Sequence, residues 1–187
     1  YCLHRRMETL ARTVNGLTPQ QRLVALAALI SLSVYFGFWR WKVGCSDAAC
    51  AVYTVRPGPR AKERADILAR INADIQKVLL SLEPDPRVAR IRSRFSGIRE
   101  SLSSETYTVM KHVMYLCFST QTSYNTLIFV VLHELAHMAS NTFGHGSEFQ
   151  TNFRWLVDGA RAIGVYQFVD YRVSPEKYCG MTISTTA

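Results

Sequence analysis

The chain has 187 residues, 48% of them hydrophobic and 19% charged, with a formal net charge of +8. That is long enough for one domain with a real core plus an appendage, and too apolar for a disordered chain. The positive charge is uneven: residues 1–100 hold 17 Lys/Arg against 8 Asp/Glu, and residues 101–187 hold 5 against 6. Basicity therefore belongs to the first half, where a solvated surface, anionic lipid, nucleic acid or an acidic protein face would use it. Five cysteines without a Cys-x-x-Cys pair do not form the pattern of a disulfide framework or a zinc knuckle. Reduced thiols are expected, with Cys45–Cys50 as the bridge that an oxidising compartment would allow.

Residues 1–22 are a basic N-terminal segment. From Leu23 to Trp39 no residue is charged, a run of roughly 25 Å as a helix and near the lower limit for a membrane span. Thr18, Pro19 and Gln21 supply an N-cap, a first-turn proline and a capping-box partner. Arg22, Arg40 and Lys42 can snorkel, and Trp39 with Trp41 resembles an interfacial belt. Residues 23–41 are therefore expected to be a single transmembrane helix, with membrane lipid as a partner. A signal peptide is disfavoured by the bulky Phe38-Trp39 end of the run, and a buried core helix by the lack of a polar face. Basic residues flank both ends, so orientation stays open.

Residues 42–60 read as a linker that closes on the stiff, turn-prone Arg56-Pro57-Gly58-Pro59-Arg60. A domain over 61–187 follows. Ile67, Leu68, Ile71, Ile75, Val78, Leu79 and Leu82 recur at helical spacing, and Glu83-Pro84-Asp85-Pro86 ends that helix and opens another. Residues 87–99 are expected to form an amphipathic helix with a basic face. Arg87, Arg90 and Arg94 on it are candidates for phosphate or lipid contacts, against the plainer reading of a solvated face. Strand formers at 107–110 and 113–118, with Lys111-His112 between, predict a short antiparallel hairpin that leaves His112 exposed. Asn125 is a candidate N-cap for a helix over 126–140.

That last helix carries the chemistry. Residues four apart share a helix face, so His133 and His137 can aim their imidazoles at one ion. Glu134, between them, can take a proton from water. The run Leu127–Leu132 is almost wholly apolar, and polar groups in a buried helix are costly unless something satisfies them. A metal would satisfy all three; satisfied core histidines are the alternative. A glycine turn, Asn141–Gly144, can bring His145 back as a third ligand. Ser147 and Gln150 form a second capping box, and Phe149, Phe153, Leu156, Val157, Ala160 and Ile163 line the next helix. Glu148 is a rival ligand, more simply a residue that supports the ligands or starts the helix. Tyr166, Tyr171 and Tyr178 are candidate oxyanion donors or plain packing residues.

The stretch "HELAHMASNTFGHGSEF" is similar to the SprT-like and WLM (Wss1-like) zinc metallopeptidases. Residues 107–184, with a tail of the form "VDY…P…YCGM.I", resemble more closely the WLM-like proteins of large nucleocytoplasmic DNA viruses. The resemblance implies an α+β chain: an N-terminal membrane anchor, then a small, mostly helical zincin-like domain with a short β-hairpin. It also implies Zn2+ held by His133, His137 and His145, with Glu134 as general base. The seven residues between His137 and His145 depart from the metzincin spacing, and the accessory motifs of the cellular relatives are absent. Two functions are thus expected to compete. One is a membrane-anchored metallopeptidase acting on a protein or peptide substrate. The other is a virion component whose domain links a membrane to capsid or other virion proteins; nucleic acid is a weaker partner.

Overall fold

The computed structural model describes residues 18–35, 42–45, 52–118 and 122–187. Helix α1, Pro19–Tyr35, starts as its sequence demands: the Gln21 amide donates to Thr18 Oγ1 at 3.4 Å, and the Thr18 amide donates to Gln21 Oε1 at 3.0 Å. The transmembrane expectation for 23–41 is overturned. No helix among the described residues is long and apolar enough to cross a membrane. The helix extends to Tyr35, so its apolar part from Leu23 spans only about 20 Å against a hydrocarbon core of about 30 Å. Lys42 does not flank a span but opens strand β1, Lys42–Cys45, where it pairs with Val55. Trp39, Arg40 and Trp41 lie outside the described residues.

The stretch read as a linker is partly structured. Strand β2, Val52–Val55, pairs antiparallel with β1 and buries Tyr53 and Val55 beneath helix α2, Ala61–Ser81. The α2 stripe behaves as its periodicity predicts, with Leu68, Ile71, Ile75, Val78 and Leu79 all buried. Each such side chain contributes roughly 1.5–3 kcal/mol by leaving water. Helix α3, Pro86–Arg94, is capped by Asp85, which accepts from the Arg87 amide. It is shorter than expected: the chain turns at Gly97 (φ +138) into strand β3, Gly97–Glu100. Ile98 and Glu100 then alternate into the interior, a strand pattern rather than a helical one.

Strands β4, Tyr107–Val109, and β5, Val113–Leu116, form the expected antiparallel hairpin, and β3 adds in parallel on the far side of β5. The sheet order β3-β5-β4 leaves β4 at an edge. Buried Glu100 ties this layer together, accepting from Arg64 Nε at 2.9 Å and from the Arg56 amide at 2.5 Å. Helix α4, Tyr124–Ala139, runs through the centre, against α3 on one side and α5, Ser147–Ala162, on the other. Gly159 lets α5 approach closely, since a Cβ there would meet Leu82 Cδ2 at 2.7 Å. The chain ends in a small hairpin of β6, Glu176–Tyr178, and β7, Met181–Ile183. The α+β part of the expectation therefore stands without its membrane helix.

The cysteine expectation is corrected. Cys117, just past β5, is bonded to Cys179 in the β6–β7 turn, pinning the C-terminal hairpin to the central sheet. Sequence spacing could not show this pair, because 62 residues separate them and only the fold brings them together. Cys45 and Cys50 cannot be paired from what is described, since Cys50 lies outside the described residues.

Candidate metal centre

Helix α4 begins at Ser123, not Asn125: the Ser123 hydroxyl accepts from the Thr126 amide at 3.1 Å. Asn125 instead grips the Gln167 backbone, donating to its carbonyl and accepting from its amide, both at 2.8 Å. Leu127, Ile128, Val131, Leu132 and Leu135 bury this helix on several faces, so its rotation is fixed by packing. His133 and His137 emerge one turn apart on the side facing α5, with ring centroids 5.0 Å apart.

After Ala139 the chain leaves the helix, turns through Gly144 (φ +80) and returns His145 to the same place. His145 Nε2 lies 3.0 Å from His133 Nε2, near the separation of about 3.3 Å that two nitrogens would have on a tetrahedral zinc at about 2.0 Å. One ligand atom from each of the three histidines lies within 4.8 Å of the other two. Phe149, 1% exposed, forms the floor, its ring centroid 4.8, 4.4 and 4.7 Å from those of His133, His137 and His145. The second capping box does not form. Gly146 is the N-cap without a side-chain bond, and Gln150 reaches back to the His145 carbonyl at 3.4 Å.

Burial favours the neutral imidazoles of His133 and His137. Burial, then neighbouring His137 and His145, holds His133 down at about 3; burial and His145 hold His137 at about 4. Neutral imidazoles present lone pairs, as metal ligands must. Glu134 is buried, and its carboxylate pKa is raised by that burial, against the opposing hydrogen bond from Thr108 Oγ1 at 2.6 Å. Thr108 lies on the edge strand β4, so the sheet and the motif helix meet at this carboxylate.

The remaining sequence candidates are distributed around the centre. Glu148 is a clamp on the loop: it accepts from the Asn141 and Thr142 amides at 2.9 and 3.0 Å, and from the Asn141 amide group and Thr142 hydroxyl. Those bonds hold its pKa down at about 2. Tyr166, Tyr171 and Tyr178 are packing residues, each at most 2% exposed. Tyr166 and Tyr171 flank Phe129, and Tyr178, pushed up to about 12 by burial, bonds its hydroxyl to Thr106 Oγ1 and the Cys117 carbonyl.

The arginines face inward. Arg87 pairs with Asp85, reaches Asn152 and stacks over Trp155 at 3.9 Å. Arg90 donates to the Ala139 carbonyl at 2.6 Å, and Arg94 to those of Met138 and Ser140 at 2.6 and 2.7 Å. They satisfy the end of α4, whose last carbonyls lack helical partners and carry its negative dipole end. Exposed His112 bonds the Arg94 carbonyl through Nδ1 at 2.7 Å. Sequence reasoning missed Thr108, Phe149 as a floor, and Lys111. Lys111 Nζ donates to the Ser140, Asn141 and Thr142 carbonyls at 2.7, 3.3 and 2.8 Å. Burial, then the Arg94 charge, lowers the Lys111 pKa.

No protein-family model matches the chain, and no solved structure does. Among curated proteins it is 31% identical to the uncharacterized protein 136R of Invertebrate iridescent virus 6, over an alignment of 116 positions. That alignment covers 51% of this chain and 64% of the relative. It is 39% identical over 77 positions to the uncharacterized protein 042R of Invertebrate iridescent virus 3, covering 38% and 48%. It is 36% identical over 59 positions to the uncharacterized protein R325 of Acanthamoeba polyphaga mimivirus, covering 32% and 30%. The chain thus spans from under a third to just under two thirds of the relatives it matches, and those relatives are proteins of large DNA viruses.

Proposed function

We propose that this chain is a zinc-dependent metallopeptidase of the WLM/SprT-like kind, with His133, His137 and His145 as ligands and Glu134 as general base. One observation carries the reading: three imidazoles converge within 4.8 Å, and the residue beside the first is a buried carboxylate. The donor set fits zinc. Three imidazole nitrogens, with no fourth protein ligand grouped with them among the described residues, match an open hydrolytic site, where a closed structural site would offer a fourth. When bound, the ion supplies Lewis acidity, polarising a carbonyl and lowering the pKa of water to about 7.

The rest is the work of the chain. Burial makes Glu134 a stronger base, suited to accept a proton from the attacking water and return it to the leaving amine. Thr108 engages Oε2, which leaves Oε1 for that proton. Among the described residues no strand pairs with the outer edge of β4, which supports a peptide as substrate, since an extended chain could pair there beside the base. The resemblance of residues 133–149 supports the same class.

The test uses the full chain and its Glu134→Gln variant. Both should hold about one zinc, and only the parent should cleave an unfolded protein. Zinc in both with cleavage by neither, across unrelated substrates, contradicts the peptidase and leaves a scaffold with a structural metal. Absence of zinc from the parent contradicts the centre itself.

A further inference from the structure

The third ligand sits on a segment with no apolar burial to hold it. Every residue from Asn141 to Ser147 is exposed, unlike the helix before it. What shapes the segment is a pair of opposite charges gripping the same residues from two sides. Lys111 takes the carbonyls of Ser140, Asn141 and Thr142, while Glu148 takes the amides of Asn141 and Thr142. Lys111 also lies over the Phe143 ring, 4.6 Å from its centroid. Upstream, Arg90 and Arg94 fix the carbonyls of Met138, Ala139 and Ser140.

Lys111 stands where its backbone is unfavourable. It and Met110 have φ of +59 and +49 in the β4–β5 turn, a region that side-chain-bearing residues rarely adopt. The same hairpin delivers Thr108 to Glu134. One hairpin therefore touches both the base and the loop of the third ligand.

We propose that Lys111, opposed by Glu148 and backed by Arg90 and Arg94, is the positioning residue that shapes the Asn141–Gly146 loop to bring His145 to the metal. This rests on the reading of the three histidines as one metal centre. Arg90 and Arg94 of the basic helix α3, with Lys111, thereby serve the metal site, their donors engaged by backbone carbonyls.

The experiment measures zinc affinity of the full chain by competition with a chelator, in a double-mutant cycle of Lys111→Asn and His145→Ala. Asparagine tolerates the positive φ, so the turn is kept while the ammonium is withdrawn. Lys111→Asn should weaken zinc binding about 10–100-fold, and Lys111→Arg should restore most of it. In the His145→Ala background, Lys111→Asn should cost nothing more, and Co2+-loaded Lys111→Asn should share the visible spectrum of His145→Ala. Unchanged affinity, or a loss that adds fully to that of His145→Ala, overturns the proposal while leaving the metal centre intact. A parent chain that binds no zinc overturns the centre first and the proposal with it. Should Lys111→Asn not fold, as judged by thermal unfolding without metal, Glu148→Gln carries the same cycle from the other side of the loop.

Discussion

The two halves of the proposed metal centre are held by different physics. His133 and His137 ride on a helix whose neighbours Leu132 and Leu135 are 2% and 0% exposed, so their place is set by the hydrophobic core. His145 rides on an exposed loop, whose Ser140–Thr142 backbone is held by hydrogen bonds to Lys111 and Glu148. Core packing is non-directional and strong, whereas the loop depends on a few directional polar contacts at the surface. If the three histidines hold a metal as proposed, affinity should change at the loop with little cost to the fold, whereas a change to the fold at the helix should displace both His133 and His137.

Glu134→Gln should lower peptide turnover about 100–10,000-fold with zinc retained, separating chemistry from ligation. Breaking the Cys117–Cys179 bond should cost about 4 kcal/mol by the chain-entropy argument, measured as a fall in denaturation midpoint on reduction. Leu135→Ala should destabilise the chain by about 2–5 kcal/mol in urea unfolding. By contrast, Glu148→Gln should move that midpoint little while weakening zinc binding. Equal effects of the last two on stability would erase the distinction between helix and loop.

Acid should separate the halves most finely. Without metal, burial holds the His133 and His137 imidazoles down at about 3 and about 4, against an ordinary 6.5. The unfolded chain binds more protons between those values, so their stabilising share is full above about pH 6.5 and lost as pH falls toward 3. Glu148 is depressed from 4.5 to about 2, so its clamp is full above about 4.5 and lost as pH falls toward 2. Amide exchange at Asn141 and Thr142 should thus stay slow at pH values where the helix-borne histidines already destabilise the fold.

Much of this was legible in residues alone, where the signal was periodic or local. The α2 stripe, the α3 proline start, the β4–β5 hairpin and the His133–His137 pair all follow from spacing within about twenty positions. Other features depended on distant partners. Thr108 looks like any strand threonine until the fold sets it against Glu134, 26 residues on. Arg90 and Arg94 carry a basic pattern that fits solvent or phosphate equally well, and only the nearby end of α4 shows their use. The membrane expectation failed because an uncharged run to Trp39 does not reveal how far its helix runs, and the helix described here, started by the expected capping box, extends only to Tyr35. Glu148 was legible as a residue at a helix start, though not as the clamp on the ligand loop.

The account stands most directly on a crystal structure of the zinc-soaked chain, with anomalous scattering measured at the zinc edge. It predicts one peak about 2.0–2.1 Å from a nitrogen of each of His133, His137 and His145, with Glu148 still bonded to the Asn141 and Thr142 amides. A peak bound by Glu148 in place of His145, or no peak among the three imidazoles, would contradict it.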